Sequence, residues 1–221
     1  MKREIDMKEI SDGKLYGPND LVKADCGDCH GCFDCCQGMG QSILLDPLDI
    51  YRLTGNLKVT FEELLADKIE LNVVDGLILP NLKMSEVHER CAFLNKEGRC
   101  SIHPYRPGIC RLFPLGRYYE NGGFSYFLQT GECAKENRSK IKVSKWIDTP
   151  DLTRNQQFTL QWHDLLHAME ERLTGEDEGK QREENLLLLR LFYLLPYEGT
   201  IDFYTQFTER MEHWNGQNGQ I

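Results

Sequence analysis

Apolar residues recur at helical spacing through the last third of the chain. Residues 151–174 carry one apolar face, which predicts a helix with an inward stripe of Phe158, Trp162, Leu165, Leu166, Met169 and Leu173. A second helix, from about Glu183 to Leu195, is apolar nearly all round and stops at Pro196, so we expect it at the centre of the core. A third helix is predicted from a stripe of Tyr204, Phe207, Met211 and Trp214.

The first part of the chain has a mixed pattern. Residues 46–55 and 60–69 read as short helices. Asp46 stands at the N-cap position before Pro47, and Thr60 with Glu63 has the spacing of a capping box.

Three further segments have the pattern of β-hairpins. Residues 73–79, 91–103 and 116–129 each place β-branched or aromatic residues around a turn that contains glycine. The predicted fold class is therefore α+β and helix-rich, with short hairpins in a small metal-binding region followed by an α-helical region.

Charge and hydropathy exclude two classes of partner. The formal net charge is −9 and no basic stripe is present, so we expect no nucleic-acid partner. The chain opens with charged residues and contains no run of roughly 18 apolar residues, so we expect no membrane association and a cytoplasmic location.

Cysteine changes the picture most. The chain has nine cysteines, an odd number, and five of them lie within the eleven residues C-G-D-C-H-G-C-F-D-C-C that begin at Cys26. Such a run in a reducing compartment is not explained by disulfides. No cysteine follows Cys133, which suggests an N-terminal extension (1–24), a cysteine-cluster domain (25–140) and a helical region packing on it (141–221).

The cysteine run indicates a metal centre. Three successive C-x-x-C steps return thiolates to one side of a tight turn, and thiolates select zinc, cuprous copper or iron–sulfur clusters over hard ions. The side chains of Cys35 and Cys36 diverge because the residues are adjacent. The run therefore predicts at least two sites, or one site and a free thiol.

Three later cysteines lack a partner at ligand spacing but stand beside arginines. The pairs are Arg90-Cys91, Arg99-Cys100 and Cys110-Arg111, and Arg106 is near the last of them. A centre with four thiolates is anionic, so buried arginines would compensate its charge. The alternative is that these arginines are solvated surface charges.

Taken together, these motifs resemble the YkgJ family of cysteine-cluster proteins, the CxxCxxCC zinc- or iron-chelating domain. The resemblance rests on Cys29 to Cys36, on the segments around Cys91 and Cys100, and on Tyr105-Arg-Pro-Gly-Ile-Cys-Arg-Leu-Phe-Pro114. It implies eight metal ligands: Cys29, Cys32, Cys35, Cys36, Cys91, Cys100, Cys110 and Cys133.

The chain departs from the family pattern at two positions. Cys26 has no counterpart there; it is either an extra ligand or the cysteine that best tolerates substitution. His103 stands where the family generally has an aromatic residue, and we expect it to pack, with metal ligation as the alternative.

The uninterrupted C-x-x-C-x-x-C run favours an iron–sulfur cluster or iron, used in redox chemistry or in modification of a protein or peptide substrate. A structural zinc module that mediates interactions is the alternative. The resemblance also raises a flagellin-type protein lysine N-methylase, although the sequence has no glycine-rich loop of the common methyltransferase kind. No catalytic residue is assigned, and whether the protein is an enzyme stays open. His163 and His167 have zinc-compatible spacing, but we expect them to be ordinary helix histidines.

Overall fold

Eight helices and three two-stranded antiparallel ladders make up the described part of the chain, residues 7–27, 32–135 and 137–218 of a computed structural model. The helices are α1 Met7–Ile10, α2 Pro47–Leu57, α3 Phe61–Asp67, α4 Gly108–Leu112, α5 Val143–Ile147, α6 Leu152–Leu173, α7 Glu178–Leu189 and α8 Phe203–Asn218. The strands are β1 Leu21–Asp25, β2 Ile69–Val74, β3 Leu77–Leu82, β4 Leu115–Glu120, β5 Gly123–Leu128 and β6 Ser139–Lys142. The helix-rich α+β prediction is confirmed.

Both short helices begin at the residues that the sequence predicts. In α2 the Asp46 carboxylate accepts the N–H of Asp49, and the Asp49 carboxylate accepts the N–H of Asp46. Thr60 and Glu63 make the same reciprocal pair at the start of α3. Each pair satisfies backbone donors that a helix leaves open at its first turn.

Two of the three predicted hairpins are present. β2 pairs with β3 from Ile69↔Leu82 to Val74↔Leu77, so this hairpin is longer than the predicted one. β4 pairs with β5 from Leu115↔Leu128 to Glu120↔Gly123.

The predicted hairpin at 91–103 is reduced to a short bridged loop without strands. In these residues, all of which the structure describes, the Leu94–Cys100 bridge is accompanied by the N–H of Asn95 donating to Arg99 and the N–H of Ser101 donating to Phe93, but no strand forms, and a 3-10 turn begins at His103. The reason is competition for backbone partners, since the N–H groups of Cys91 and Ala92 donate to Cys36 and Lys83 instead of to a returning strand.

A ladder that the sequence did not predict joins β1 to β6. Leu21 pairs with Lys142 and Asp25 with Ser139, and the Ser139 hydroxyl donates to the Asp25 carboxylate at 2.9 Å. This ladder brings the chain just before Cys26 next to the chain just after Cys133.

The long C-terminal helices pack on α2, α3 and the β2–β3 hairpin. α6 occupies the predicted range, whereas α7 begins earlier than predicted because Asp177 caps it, and it continues as a π-helical turn at Arg190–Leu194. Leu188 and Phe192 are fully buried in an apolar cluster that also includes residues of the 43–102 part of the chain. A smaller cluster lies under β1, β4, β5 and α5.

None of the helices among the described residues is long and apolar enough to cross a lipid bilayer.

Candidate metal centre

Six cysteines from three parts of the chain line one large cavity: Cys32 and five others that influence one another's ionisation. Cys35 and Cys36 are in a 3-10 turn, Asp34–Cys36; Cys91 and Cys100 flank the irregular 91–103 segment; and Cys110 is in α4. We call these five the inner cysteines. Each influences the ionisation of others in the set, and the Cys36 thiol hydrogen-bonds with that of Cys35. Cysteines of the two groups thus line one cavity, whereas their sharing of a metal site stays a prediction.

Backbone hydrogen bonds fix the Cys35–Cys36 turn against the middle segment. The N–H of Cys91 donates to the carbonyl of Cys36 at 2.8 Å, and the N–H of Gly38 donates to Glu89 at 2.9 Å. The two segments thus run antiparallel for a short distance, with thiols from both facing the same cavity.

Phe33, within the cysteine run, packs against the turn that contains Gly98. Gly98 has a φ of +70°, and a Cβ added there would lie 2.8 Å from the Phe33 ring. Only glycine combines that backbone conformation with so close an approach. The Arg90 guanidinium lies over the Phe33 ring as well, 5.6 Å from its centroid.

Cys110 is positioned by a buried carboxylate that the sequence prediction missed as a site residue. Asp49 accepts the N–H of Gly108 at 2.7 Å, which ties the start of α4 to the start of α2. Burial, and then the neighbouring Asp46, raise the pKa of Asp49 to about 8. The capping motif was visible in the sequence, but its long-range partner, 59 positions away, was not.

Most of the inner thiols are held in the protonated form. Burial is the main cause of the raised pKa of Cys91, Cys100 and Cys110. Cys35 is the exception, because a hydrogen bond from Cys36 lowers its pKa to about 7, and the same contact raises the pKa of Cys36. A bound metal ion would replace the protons, since thiolates are the ligating form.

Two of the four arginines act on the thiols. Arg106 favours the thiolate of both Cys35 and Cys100, and Arg99 favours that of Cys100. Arg111 instead donates to the carbonyls of Asp148 and Pro104, at 3.1 and 2.7 Å. Arg99 and Arg106 are thus the arginines that favour the negative charge of the thiolates. Arg111 instead links α4 to the neighbouring loops.

His103 lies on the cavity wall with its ring against Arg106. Arg106 Nη1 is 3.0 Å from Nδ1 and 2.8 Å from Nε2 of the imidazole. A metal ligand needs a free lone pair on one ring nitrogen, whereas here the Arg106 guanidinium contacts both ring nitrogens. This environment favours a packed histidine over a metal ligand.

The opposite wall of the cavity is made by α6 and the β4–β5 hairpin. His163 stacks on Tyr119 with ring centroids 3.7 Å apart and an interplanar angle of 8°, and His167 lies one turn further along α6. The cavity has a volume of about 1340 Å³. His163 and His167, which the sequence predicts to be ordinary helix histidines, therefore line the same cavity as the inner cysteines.

Cys26, Cys32 and Cys133 border a separate void of about 20 Å³. We call them the outer cysteines. Cys32 and Cys35 border both the void and the large cavity. The backbone of Asp34 hydrogen-bonds to Cys32 and lowers its pKa, but burial and the Asp34 carboxylate outweigh this and the pKa is raised. Cys29, the remaining predicted ligand, lies outside the described residues.

The donor set suits a thiophilic metal, but its side chains are spaced more widely than the ligands of one ion. No disulfide joins the eight cysteines that the structure describes. Across 7–27, 32–135 and 137–218, no three His, Cys, Asp or Glu side chains converge closely enough to hold an ion as they stand. Rotation of cysteine about its single side-chain bond moves the sulfur by up to about 3 Å, which is the scale of adjustment a metal would require.

Comparison with known proteins agrees with this chemistry. A family model described as "CxxCxxCC: Putative zinc- or iron-chelating domain" matches residues 28–144. An uncharacterized protein of Methanocaldococcus jannaschii is 31% identical over 123 residues, which cover 52% of this chain and 62% of that protein. The chain thus spans less than two thirds of the length of this relative. No solved structure matches. The thiol-lined cavity and the family match over more than half of the chain identify it as a member of the CxxCxxCC family of zinc- or iron-chelating proteins.

Proposed function

We propose that the inner cysteines hold an iron–sulfur cluster, and that the cluster acts on a substrate bound in the adjoining cavity. The observation that carries this is the clustering of five thiols, from segments far apart in sequence, on the wall of a cavity of about 1340 Å³. Cysteine thiolates are the usual ligands of iron–sulfur clusters.

The number of thiols supports a cluster over a single ion. A mononuclear zinc site takes four ligands and closes tightly around the ion. Here six thiols, the inner five and Cys32, border one open space, and two of them, Cys35 and Cys36, are adjacent in sequence. A polynuclear centre accepts ligands that approach from diverging directions, because its metal atoms are separated.

The charges around the inner cysteines support the same proposal. Arg99 and Arg106 lie close enough to Cys100 to favour its thiolate, and Arg106 does the same for Cys35. A cluster with four thiolates is anionic, so its burial requires cations nearby. Arginine provides that charge together with several N–H donors.

A substrate role rests on the size and chemistry of the cavity. Small-molecule sites usually measure about 300–1000 Å³, so this cavity has room for a peptide segment as well as the cluster. Its far wall offers imidazole, phenol and carboxylate groups from His163, Tyr119 and Asp164. We propose a protein or peptide as the substrate.

The test is spectroscopic and uses the full chain purified without oxygen. The expected protein is brown, with visible thiolate-to-iron absorption, and contains iron and acid-labile sulfide together. Cys100→Ser and Cys110→Ser should lose the colour and most of the iron. Met39→Leu, which changes a sulfur-containing side chain on the same cavity wall, should keep both. A colourless wild-type protein with stoichiometric zinc would instead support the structural zinc module.

A further inference from the structure

Arg117 places a positive charge on the wall of the large cavity that the β4–β5 hairpin makes. Its Nε atom is enclosed and has no hydrogen-bond partner among the described residues. No salt bridge in the described part of the chain joins its guanidinium to a carboxylate. Because a charge removed from water is costly unless an opposite charge compensates it, this wall of the cavity is suited to an anion.

Asp46 is the carboxylate whose ionisation Arg117 favours, but it is a poor counterion. Its side chain accepts the N–H of Asp49 at 2.8 Å and caps α2. Burial raises the pKa of Asp46, and this effect outweighs that of Arg117. The negative charge of Asp46 is therefore disfavoured, and the charge of Arg117 is left largely uncompensated.

Neutral side chains hold the Arg117 guanidinium in place. Arg117 is paired with Tyr126 across the hairpin, and Tyr119, two residues along β4, lies on the same face. The guanidinium hydrogen-bonds to both tyrosine hydroxyls, and it lies over the Phe124 ring, 5.6 Å from its centroid. His163 stacks on Tyr119 and fixes the plane of that ring. These contacts orient hydrogen-bond donors on the cavity wall without supplying negative charge.

We propose that Arg117 and the Tyr119 hydroxyl bind a carboxylate group of the peptide that occupies the cavity. The inference rests on the proposed function for the peptide nature of the ligand, and it names the group that is recognised: an acidic side chain or a C-terminal carboxylate. The guanidinium presents several N–H donors in a planar fork that matches the two oxygens of a carboxylate. A tyrosine hydroxyl that accepts from arginine still has its own hydrogen to donate.

A single positive charge selects a carboxylate over a phosphate. A phosphate monoester carries a charge of about −1.5 to −2 at pH 7, whereas a carboxylate carries one negative charge. Glu120 and Asp164 also line the cavity and add to the repulsion of an anion. Glu120 alternates to the other face of β4, and Asp164 Oδ1 lies 3.3 Å from Nδ1 of His163. One negative charge beside Arg117 is compatible with these carboxylates, and a second would be repelled.

The experiment measures the binding of short peptides to the full chain, prepared without oxygen, by isothermal titration calorimetry. The first probe is a blocked pentapeptide with glutamate between glycines, and two others have glutamine or phosphoserine at the same place. A fourth probe, acetyl-pentaglycine with a free C-terminus, separates a terminal carboxylate from a side-chain carboxylate. The better of the two carboxylate peptides should bind at least about tenfold more tightly than the glutamine and phosphoserine peptides, because charge-assisted hydrogen bonds are stronger than neutral ones.

Variants of the wall identify the residues that make this preference. Arg117→Gln should reduce the preference for carboxylate over glutamine to less than twofold, and Arg117→Lys should be intermediate because it lacks the planar fork. Tyr119→Phe keeps the ring on His163 and should weaken the carboxylate peptide about threefold to tenfold, so it also covers Arg117 variants that do not fold. Glu120→Gln is the matched control, and it should keep the preference within twofold.

Three results would overturn the carboxylate site. They are equal binding of the carboxylate and glutamine peptides by the wild type or binding of neither at millimolar concentration, tighter binding of the phosphoserine peptide, and an unchanged preference in Arg117→Gln. A colourless protein that prefers the carboxylate peptide would defeat the cluster and keep this site. A brown protein without the preference would defeat this site and keep the cluster.

Discussion

The backbone conformation of Gly98 allows Phe33, and with it the cysteine run, to pack against the turn that contains Gly98. We predict that Gly98→Ala destabilises the fold by about 1–3 kcal/mol, because it combines a left-handed φ with a Cβ 2.8 Å from the Phe33 ring. Displacement of Phe33 would also move Cys32 and Asp34, so metal content should fall. Urea unfolding and elemental analysis measure the two effects.

Gly55→Ala is the matched control for that substitution. Gly55 is inside α2 and a Cβ there meets nothing within 4 Å. Alanine is the better helix former by about 1 kcal/mol, so this variant should be as stable as the wild type or more stable. An equal loss in both variants would mean that the Phe33 contact has no special importance.

Arg106 is predicted to matter through its charge. Arg106→Gln should lower metal retention by about tenfold or more, because the cation that favours the thiolates of Cys35 and Cys100 is gone while every thiol remains. Arg106→Lys should be intermediate, since it keeps the charge without the planar donor pair. Competition with a chelator measures retention.

Arg111→Gln provides a contrast to the Arg106 variants. Its guanidinium donates to two carbonyl groups, so the variant should lose about 1–3 kcal/mol of stability with or without metal. If Arg106→Gln lost stability in the same metal-independent way, its role would be structural too.

At the residue level, the sequence predicted which side chains carry the chemistry of the site better than it predicted which residues lie next to one another in space. The thiols, the helix caps and the arginines were recognisable from residue type and spacing. The placement of Cys32 and Cys35 between the large cavity and the small void was not, because it depends on where the chain places Cys110 and Cys133. The contact of Asp49 with Gly108 was hidden for the same reason.

At the scale of elements, the start of α4 is held by a hydrogen bond to a titratable side chain in the first turn of α2, Asp49. Burial and Asp46 raise the pKa of Asp49 to about 8, so the folded chain holds this proton more tightly than the unfolded chain does. The folded state then binds more protons between about pH 4 and pH 8, and the free energy of unfolding decreases as the pH rises through that window.

We therefore predict a negative slope of stability against pH between about pH 5 and 6.5, a range below the titration of the thiols. Each pKa unit by which Asp49 is raised corresponds to about 1.4 kcal/mol in full titration. Asp49→Asn removes this titration, so its slope should be shallower in urea unfolding. Parallel slopes in the two proteins would contradict the assignment to Asp49.

Elements with local hydrogen bonds were predicted well, and elements with distant partners were not. The α2 and α3 caps and the β2–β3 and β4–β5 turns are each encoded within a few residues. The 91–103 segment has hairpin-like composition, but its backbone pairs with residues 36 and 83. The β1–β6 ladder joins strands separated by more than 110 positions, which no local pattern reveals.

In the molecule as a whole, the cysteine-bearing part and the long helices are stabilised by different interactions. The helices bury Phe158, Phe192 and Phe207 in the main core, and Asn185 of α7 ties them to the β2–β3 hairpin through the N–H of Ile78. The segment from 84 to 107 has only turns, a 3-10 turn and isolated bridges, and it adds few side chains to that core, among them Phe93 and Ile102, so we expect bound metal to contribute to its order.

Removal of metal should therefore expose the cysteine-bearing part first. Limited proteolysis after chelation should cut between residues 25 and 135, while fragments that contain α6 to α8 persist at least several-fold longer. The metal-loaded protein should resist cleavage in both parts. Equal resistance with and without metal would show that the sites contribute nothing to order.

The β1–β6 ladder also sets an order of events during synthesis. Ribosomes add roughly 5–20 residues per second, so Cys26 emerges at least about 5 s before Cys133 and before the strand that pairs with β1. Throughout that interval Cys26 has no Cys133 beside it, and the thiols of the nascent chain are open to any reactive metal or oxidant. The ladder, and with it any contact between the segments that carry Cys26 and Cys133, can therefore form only when its second half has left the ribosome.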